Sequence, residues 1–280
     1  MSVESLPISK RIIQPSRGWL DLNLRELWEY RELVYFLIWR DVKVRYKQTL
    51  FGAGWAILKP VMGMVVFTVI FDRLAGLSTE DIPGPIFYFA GLLPWILFQD
   101  GVNKSSASLV ASRSLLTKVY FPRLSMPLAS VSAGLVDFGL SFLVLLGLML
   151  YFAATLGVQA WAAPLFVLWG LAASLGVGLW LSALNVLYRD VGYVTPFLLQ
   201  AWFFATPVVY SASMIPEGPW RILYSLNPMV GVVQGFRWAM LGIGEAPSLL
   251  AAVSLAMTIV LLISGMLFFR RMERSFADVI

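Results

Sequence analysis

Four cations, Arg40, Lys43, Arg45 and Lys47, fall within eight residues just ahead of the Gly52-Ala53-Gly54 stretch. Helical spacing spreads them over more than one face, but in a helix lying at a membrane interface all four sit at phosphate depth, where each Lys or Arg contributes about 1 kcal/mol of attraction to an anionic surface. Two chemistries suit the cluster. Generic anchoring to anionic headgroups uses the four cations interchangeably. Capture of a pyrophosphate does not, because the guanidinium forks of Arg40 and Arg45 grip two oxygens at once and a lysine acts only as a point charge. A fifth cation, Lys59, precedes Pro60 a turn or two inside the following apolar run, placed either to reach back to the interface or to meet the same phosphate. Asp137 stands among Ser132, Gly134, Gly139 and Ser141, a small-residue face suited to close helix packing, where a hydrogen-bonded structural contact is the expected role. Asp100, with Gln99 and Asn103, marks a polar helix end, and no carboxylate pair of the kind needed for hydrolysis or proton relay is formed.

No catalytic residue and no metal site is expected. The sequence has no Cys and no His, which removes disulfides, thiolate nucleophiles, most zinc sites and the usual general base at neutral pH. It has no G-x-x-x-x-G-K-[ST] loop, so any nucleotide energy must come from another polypeptide. A membrane-bound glycosyltransferase would carry clustered carboxylates, and an ion-coupled secondary transporter would carry repeated halves with several intramembrane ionisable groups; neither pattern is present. The net charge of +5 has an ordinary explanation in membrane topology and anionic lipid, not in nucleic acid.

The elements that hold these residues are membrane helices. With 59% hydrophobic residues, 13% charged residues and a mean hydropathy of +0.78, the chain carries more apolar surface than one soluble core can hide. One membrane domain over 1–280 is expected: a cytoplasmic and interfacial segment 1–50, a membrane region 51–270 and a tail 271–280. Six stretches have the length of a helical span: 51–71, 85–103, 125–153, 163–187, 192–210 and 247–269. Lys and Arg number nine before residue 50, four over 104–123, one at Arg189 and three from Arg270 onward, against Arg73, Arg221 and Arg237 on the opposite side. This asymmetry puts both termini in the cytoplasm. The N-terminus lacks the apolar core of a cleaved signal peptide, so the first span is expected to act as its own signal.

Three further segments are read as partial insertions or loops. The apolar run Leu33–Trp39 is too short to cross, and with Trp28, Tyr35, Phe36 and Trp39 it suits an amphipathic helix in the cytoplasmic interface, either a lipid anchor or a gate for an anionic lipid. Residues 220–243 contain Arg221, Asn227, Pro228, Gln234 and Arg237, which favours two short helices dipping into the outer leaflet, broken at Asn227-Pro228, over a seventh span. The stretch 105–123 is polar enough to leave the bilayer and helical up to the stop at Phe121-Pro122.

Three motifs, WRDVKVRYKQTLFGAGWAILKP at 39–60, YRDVGYVTPFLLQAWFFATPVVYSASMIP at 188–216 and LNPMVGVVQGFRWAMLG at 226–242, resemble in order and spacing the permease subunits of the ABC-2 class that export O-antigen, capsule and teichoic acid polymers. The resemblance implies a multi-pass homodimer in the bacterial inner membrane. It implies two separate ATP-binding-cassette subunits that carry the ATP and Mg, and a lipid-linked polysaccharide as substrate; drug or small-lipid export is the alternative within the class. It makes the 105–123 segment, with Arg113, Lys118 and Arg123, the ATPase-coupling element, joined by Arg189 and Asp190 at the next cytoplasmic turn. Asn227, Pro228 and Arg237 are assigned to an outer gate. Aromatic faces stack on sugar rings without fixing a hydrogen-bond register, which suits a sliding polymer. The candidates for such a path are Trp55, Phe67, Phe71, Tyr88, Trp95, Phe98, Phe197, Trp202, Phe203 and Tyr210, although Trp and Tyr also gather at interfaces and Phe fills helix packing anywhere.

Overall fold

In apolar surroundings every backbone amide must be satisfied within its own segment, so long apolar runs become helices. The structure, a computed structural model, describes residues 24–47, 51–116, 118, 120–216, 218–244, 246–273 and 276, and among the described residues there is no strand. The segment before residue 24, Arg274 and most of the tail, all assigned from sequence to the cytoplasm, lie outside the described residues. The chain is an all-α polytopic membrane protein.

Among the described residues, two helices precede the membrane region, α1 (Leu24–Glu29) and α2 (Arg31–Lys47). They are followed by α3 (Gly54–Phe67), which widens into a π-helical turn over Thr68–Leu74, and by α4 (Gly84–Ala111) and the single turn α5 (Arg113–Leu116). Then come α6 (Ser125–Ser132), α7 (Gly134–Tyr151), α8 (Ala163–Leu187), α9 (Val191–Phe204), α10 (Pro219–Ser225), α11 (Pro228–Leu241) and α12 (Leu249–Glu273). Among the described residues, five helical stretches are long and apolar enough to cross a membrane: Gly54–Leu74, Gly84–Ala111, Ser125–Tyr151, Val158–Leu187 and Leu249–Glu273.

The sixth expected stretch, 192–210, departs from expectation. Its helix is α9, only 14 residues, and Ala205–Tyr210 continues as turns. Pro207 explains the stop: it lacks an N–H and disfavours helical geometry at Thr206. The break in 220–243 falls where the sequence puts it. Asn227 caps α11 by accepting the Met229 N–H at 3.0 Å, and Pro228 fills the first helical position, where its missing N–H is harmless.

α8 is the central helix, packed along α4 on one side and α12 on the other. The approach to α12 depends on glycine: a Cβ on Gly265 would lie 2.5 Å from the Gly176 carbonyl oxygen, and one on Gly176 would lie 2.8 Å from the Leu262 nitrogen. Indole N–H groups tie the same pair, with Trp169 donating to Thr258 at 2.7 Å and Trp180 to Ser264 at 3.2 Å. Such interhelical bonds contribute about 0.6 kcal/mol each inside a membrane, so close backbone packing carries most of this contact. α2 lies across α6 with Leu37 and Val42 buried, while Trp28, Tyr35, Phe36 and Trp39, the aromatics expected at headgroup depth, are exposed.

Candidate functional site

The sequence reading scattered the charges of the basic stretch and the first three spans; the fold gathers five of them. Arg45 and Tyr46 end α2, and Gly52, in the left-handed region at φ 48°, stands just ahead of α3. Lys59 is in α3, Asp100 and Lys104 are one turn apart in α4, and Asp137 is in the first turn of α7. All of them line one cavity of about 370 Å³. Lys59 Nζ is 2.8 Å from Asp100 Oδ1. Lys104 Nζ lies between the two carboxylates, 3.9 Å from Asp100 Oδ2 and 3.6 Å from Asp137 Oδ2. Arg45 pairs with Asp137 Oδ2, and the Tyr46 hydroxyl donates to Asp137 Oδ1. Burial raises the Tyr46 phenol above its ordinary pKa, opposed in part by the Arg45 charge, so it remains a donor at neutral pH.

This arrangement answers the role expected for Asp137. It accepts a hydrogen bond from Tyr46 and is an ionic contact as well, joining α2, α4 and α7. Lys104 was missed as a site residue. Its i,i+4 spacing from Asp100 was the available signal. Of the other cations in the basic stretch, Arg40 is paired with the neighbouring Asp41 at 2.8 Å, Asp41 also accepts from Ser130 at 3.3 Å, and Lys43 and Lys47 are exposed.

The candidate coupling segment is shorter than expected. Residues 105–111 do not leave the bundle but extend α4, because Ser105 packs against Gly178 and Asn185 Nδ2 donates to the Ser106 carbonyl at 2.9 Å. Arg113 on α5 and Lys118 after it are exposed, as are Arg189 and Asp190 in the turn between α8 and α9. Arg123 differs. It donates to the Glu273 carbonyl at the end of α12 and lies 5.8 Å over the Phe276 ring, so it fastens the base of the segment to α12.

The aromatic candidates divide into two groups. Tyr88, Trp95 and Phe98 are 0%, 1% and 0% exposed, inside the core. The Phe203 ring stacks on Phe67 at 5.6 Å and meets Trp95 edge-on at 5.5 Å, Trp202 meets Phe98 at 5.3 Å, and Phe71 lies 5.8 Å from Phe67. In this conformation Tyr88, Trp95 and Phe98 are buried packing residues joining α3, α4 and α9. Tyr210 is bonded to the Tyr224 hydroxyl at 2.9 Å. Trp55 and Phe197, at 50% and 72% exposure, are the two candidates on open surfaces.

At the opposite end of the bundle, Asn227 is fixed by side chain and main chain together and Arg237 by main chain. Asn227 Oδ1 accepts from the Trp202 indole at 2.9 Å while its Nδ2 donates to the Ala205 carbonyl at 3.0 Å. The Arg237 guanidinium, fully buried, donates to the carbonyls of Pro207 at 2.6 Å, Phe87 at 3.3 Å and Tyr210 at 3.4 Å, and to that of Val208. Both residues therefore hold the turn after α9 and present no free polar group.

The model of one family, described as ABC-2 type transporter, matches residues 32–241. The chain belongs to that family. An O-antigen export system permease protein of Myxococcus xanthus is 34% identical over 216 residues, covering 76% of this chain and 82% of that protein. One from Klebsiella pneumoniae is 27% identical over 258 residues, 89% of this chain and 95% of the relative. The polysialic acid transport protein KpsM of Escherichia coli is 29% identical over 252 residues, 85% and 93% of the two. Within this ABC-2 chain the matched segment contains the whole ionic cavity, both exposed cationic turns and the Asn227–Arg237 cluster.

Proposed function

We propose that this chain is the membrane-spanning permease subunit of an ABC exporter for a lipid-linked polysaccharide such as O-antigen, working as a homodimer with two separate ATPase subunits. The observation that carries this reading is the similarity, through most of both chains, to relatives named for O-antigen export and polysialic acid transport. The geometry supports it at three places. The ionic cavity offers an excess of cations to an anionic lipid headgroup. The exposed cations Arg113, Lys118 and Arg189 form a docking face for the ATPase. The exposed apolar faces of α3 (Trp55, Met62, Val66) and α9 (Val194, Phe197) suit lipid or a second copy, and Trp55 and Phe197 are the aromatics retained for the polymer path.

In this reading the protein is a single domain of the bacterial inner membrane with both termini cytoplasmic, and α10 and α11 dip into the outer leaflet. ATP and Mg belong to the partner, since no phosphate-cradling loop is present in the sequence. The test is reconstitution in proteoliposomes. The purified chain alone is expected to hydrolyse no ATP, and hydrolysis together with polymer translocation should appear when the ATPase subunit is added. Nucleotide turnover by the isolated chain, free of contaminating ATPase, would overturn the assignment.

A further inference from the structure

Charged groups inside a membrane region are expensive, and a buried ion pair gains little net stability over apolar packing, so five charges around one cavity call for a reason beyond stability. Their stoichiometry supplies one. Three cations, Arg45, Lys59 and Lys104, face two carboxylates, and Lys104 is shared between them at 3.6 and 3.9 Å, distances too long for good hydrogen bonds. The cations converge from α2, α3 and α4 and are better supplied with donors than the carboxylates are with acceptors.

We propose that Asp100 and Asp137 are place-holders for a diphosphate, occupying the cations until the diphosphate group of a lipid enters the cavity and takes them over. This deepens the permease reading and rests on it for the identity of the lipid. A diphosphate diester carries about two negative charges at neutral pH, matching the two ionised carboxylates, so the exchange leaves the charge seen by the cations unchanged. The diphosphate also brings more acceptor oxygens, enough to serve the Arg45 fork and both ammonium groups at once.

The rest of the cavity favours a lipid over free phosphate. Trp55, Pro60, Leu93, Ile96, Leu97 and Phe138 make the remaining wall apolar, a surface fit for the first units of a prenyl chain and of no use to an inorganic ion. The exchange has a mechanical consequence as well. Asp137 is the residue to which both Arg45 and Tyr46 at the end of α2 are bonded, so its displacement frees that end of α2 from α7.

The place-holder role and a purely structural role predict opposite signs. A structural carboxylate, once neutralised, leaves cations unpaired and the site disordered, and ligand affinity falls. A place-holder, once neutralised, stops competing, and affinity rises. The experiment is calorimetric titration of the full chain in nanodiscs with farnesyl diphosphoglucose, a diphosphate diester, in wild type and in the near-isosteric variants Asp137→Asn and Asp100→Asn. Each carboxamide variant should bind about tenfold tighter, equivalent to about 1.4 kcal/mol. Lys104→Gln and Arg45→Gln should bind at least about tenfold more weakly. Unchanged or weakened binding by the Asn variants overturns the proposal.

If Asp137→Asn fails to fold, Asp100→Asn, whose carboxylate is not tied to α2, reads the same sign. Two control titrants separate the sources of the anion. Inorganic pyrophosphate matching farnesyl diphosphoglucose would overturn the lipid assignment, and the same tightening toward phosphatidylglycerol in the disc would reduce the cluster to a general anionic-lipid anchor. The binding measurement needs no transport, so its failure with export intact leaves the permease reading standing, and the converse result would leave the place-holder role standing.

Discussion

Arg237 illustrates how the partners of a single side chain stay hidden when they are distant in sequence. An arginine in an apolar stretch near Asn227-Pro228 argues against a further span, because charge at membrane depth is costly, but its sequence neighbourhood offers it no partner. Its acceptors are the carbonyls of Phe87, 150 residues away, and of Pro207, Val208 and Tyr210, about 30 residues away, and its guanidinium lies 3.9 Å over the Phe87 ring. No local spacing encodes those contacts. The carbonyls are available because Pro207 ends α9 and leaves the following turn without helical partners, and the planar fork reaches several of them at once. Arg237→Met keeps the length and removes every donor, leaving buried carbonyls unsatisfied at about 1–3 kcal/mol each. The variant should lose several degrees of thermal midpoint in detergent, and Arg237→Lys, which retains charge but not the fork, should recover only part of the loss. A wild-type melting profile for Arg237→Met would show that the turn holds itself. The ionic cavity had the same partial legibility: Asp100 and Lys104 are visible as an i,i+4 pair, whereas the Tyr46–Asp137 contact joins residues 91 apart.

Small residues in a membrane helix signal close approach, but they do not say which helix approaches. The face of α7 carrying Gly134, Gly139 and Ser141 fits the pattern, and part of it is used: Ser141 donates to the Ala56 carbonyl at 2.8 Å. A Cβ on Gly139 or Gly147, however, would meet nothing within 4 Å. A tight backbone crossing joins α8 and α12, at Gly176 and Gly265, in stretches where no small-residue face was expected from the sequence. The two kinds of glycine should therefore respond oppositely. Gly265→Leu must push α12 away from α8 across the region tied by the Trp169 and Trp180 indoles, and should abolish a monodisperse, folded preparation on size exclusion. Gly147→Ala in the middle of α7 should be neutral or should stabilise by about 0.5–1 kcal/mol, the backbone-entropy difference for a helix interior, measurable as a raised thermal midpoint. Equal tolerance at both positions would mean that the α8–α12 contact is looser than its geometry.

For the whole molecule, the open question is whether α9 completes a crossing, since the count of spans and the side of the C-terminus both follow from it. Length alone argues against: 14 helical residues rise about 21 Å, short of the roughly 30 Å hydrocarbon thickness. Contacts argue for it. The start of α9 adjoins Asn185, which is bonded to Ser106 near the end of α4, and the turn after α9 is bonded through Arg237 to Phe87 near the beginning of α4. Between Phe87 and Ser106, α4 rises about 28 Å at the helical repeat, so α9 with its turn covers the same depth as a full span. Ser211, just beyond, reaches Glu80 in the loop ahead of α4, again at that end. The sequence made the crossing visible through its apolar length and its distribution of cations, but could not show that irregular backbone supplies the last third, because most carbonyls there are satisfied by Arg237 and Asn227, side chains distant in sequence. A six-crossing arrangement predicts that Trp220 and Leu249 lie outside, with Leu156, while Ala111 and Tyr188 lie inside. All five are exposed, and the native chain has no cysteine, so single-cysteine variants at these positions report without background. In intact cells a membrane-impermeant maleimide should label Leu156→Cys, Trp220→Cys and Leu249→Cys, and should reach Ala111→Cys and Tyr188→Cys only after permeabilisation. Protection of Trp220→Cys and Leu249→Cys in intact cells, with Leu156→Cys still labelled, would return α9 to the cytoplasmic side and send the C-terminus out. The arginines Arg270 and Arg271 at the end of α12 would then lie outside, against the charge asymmetry on which the orientation rests.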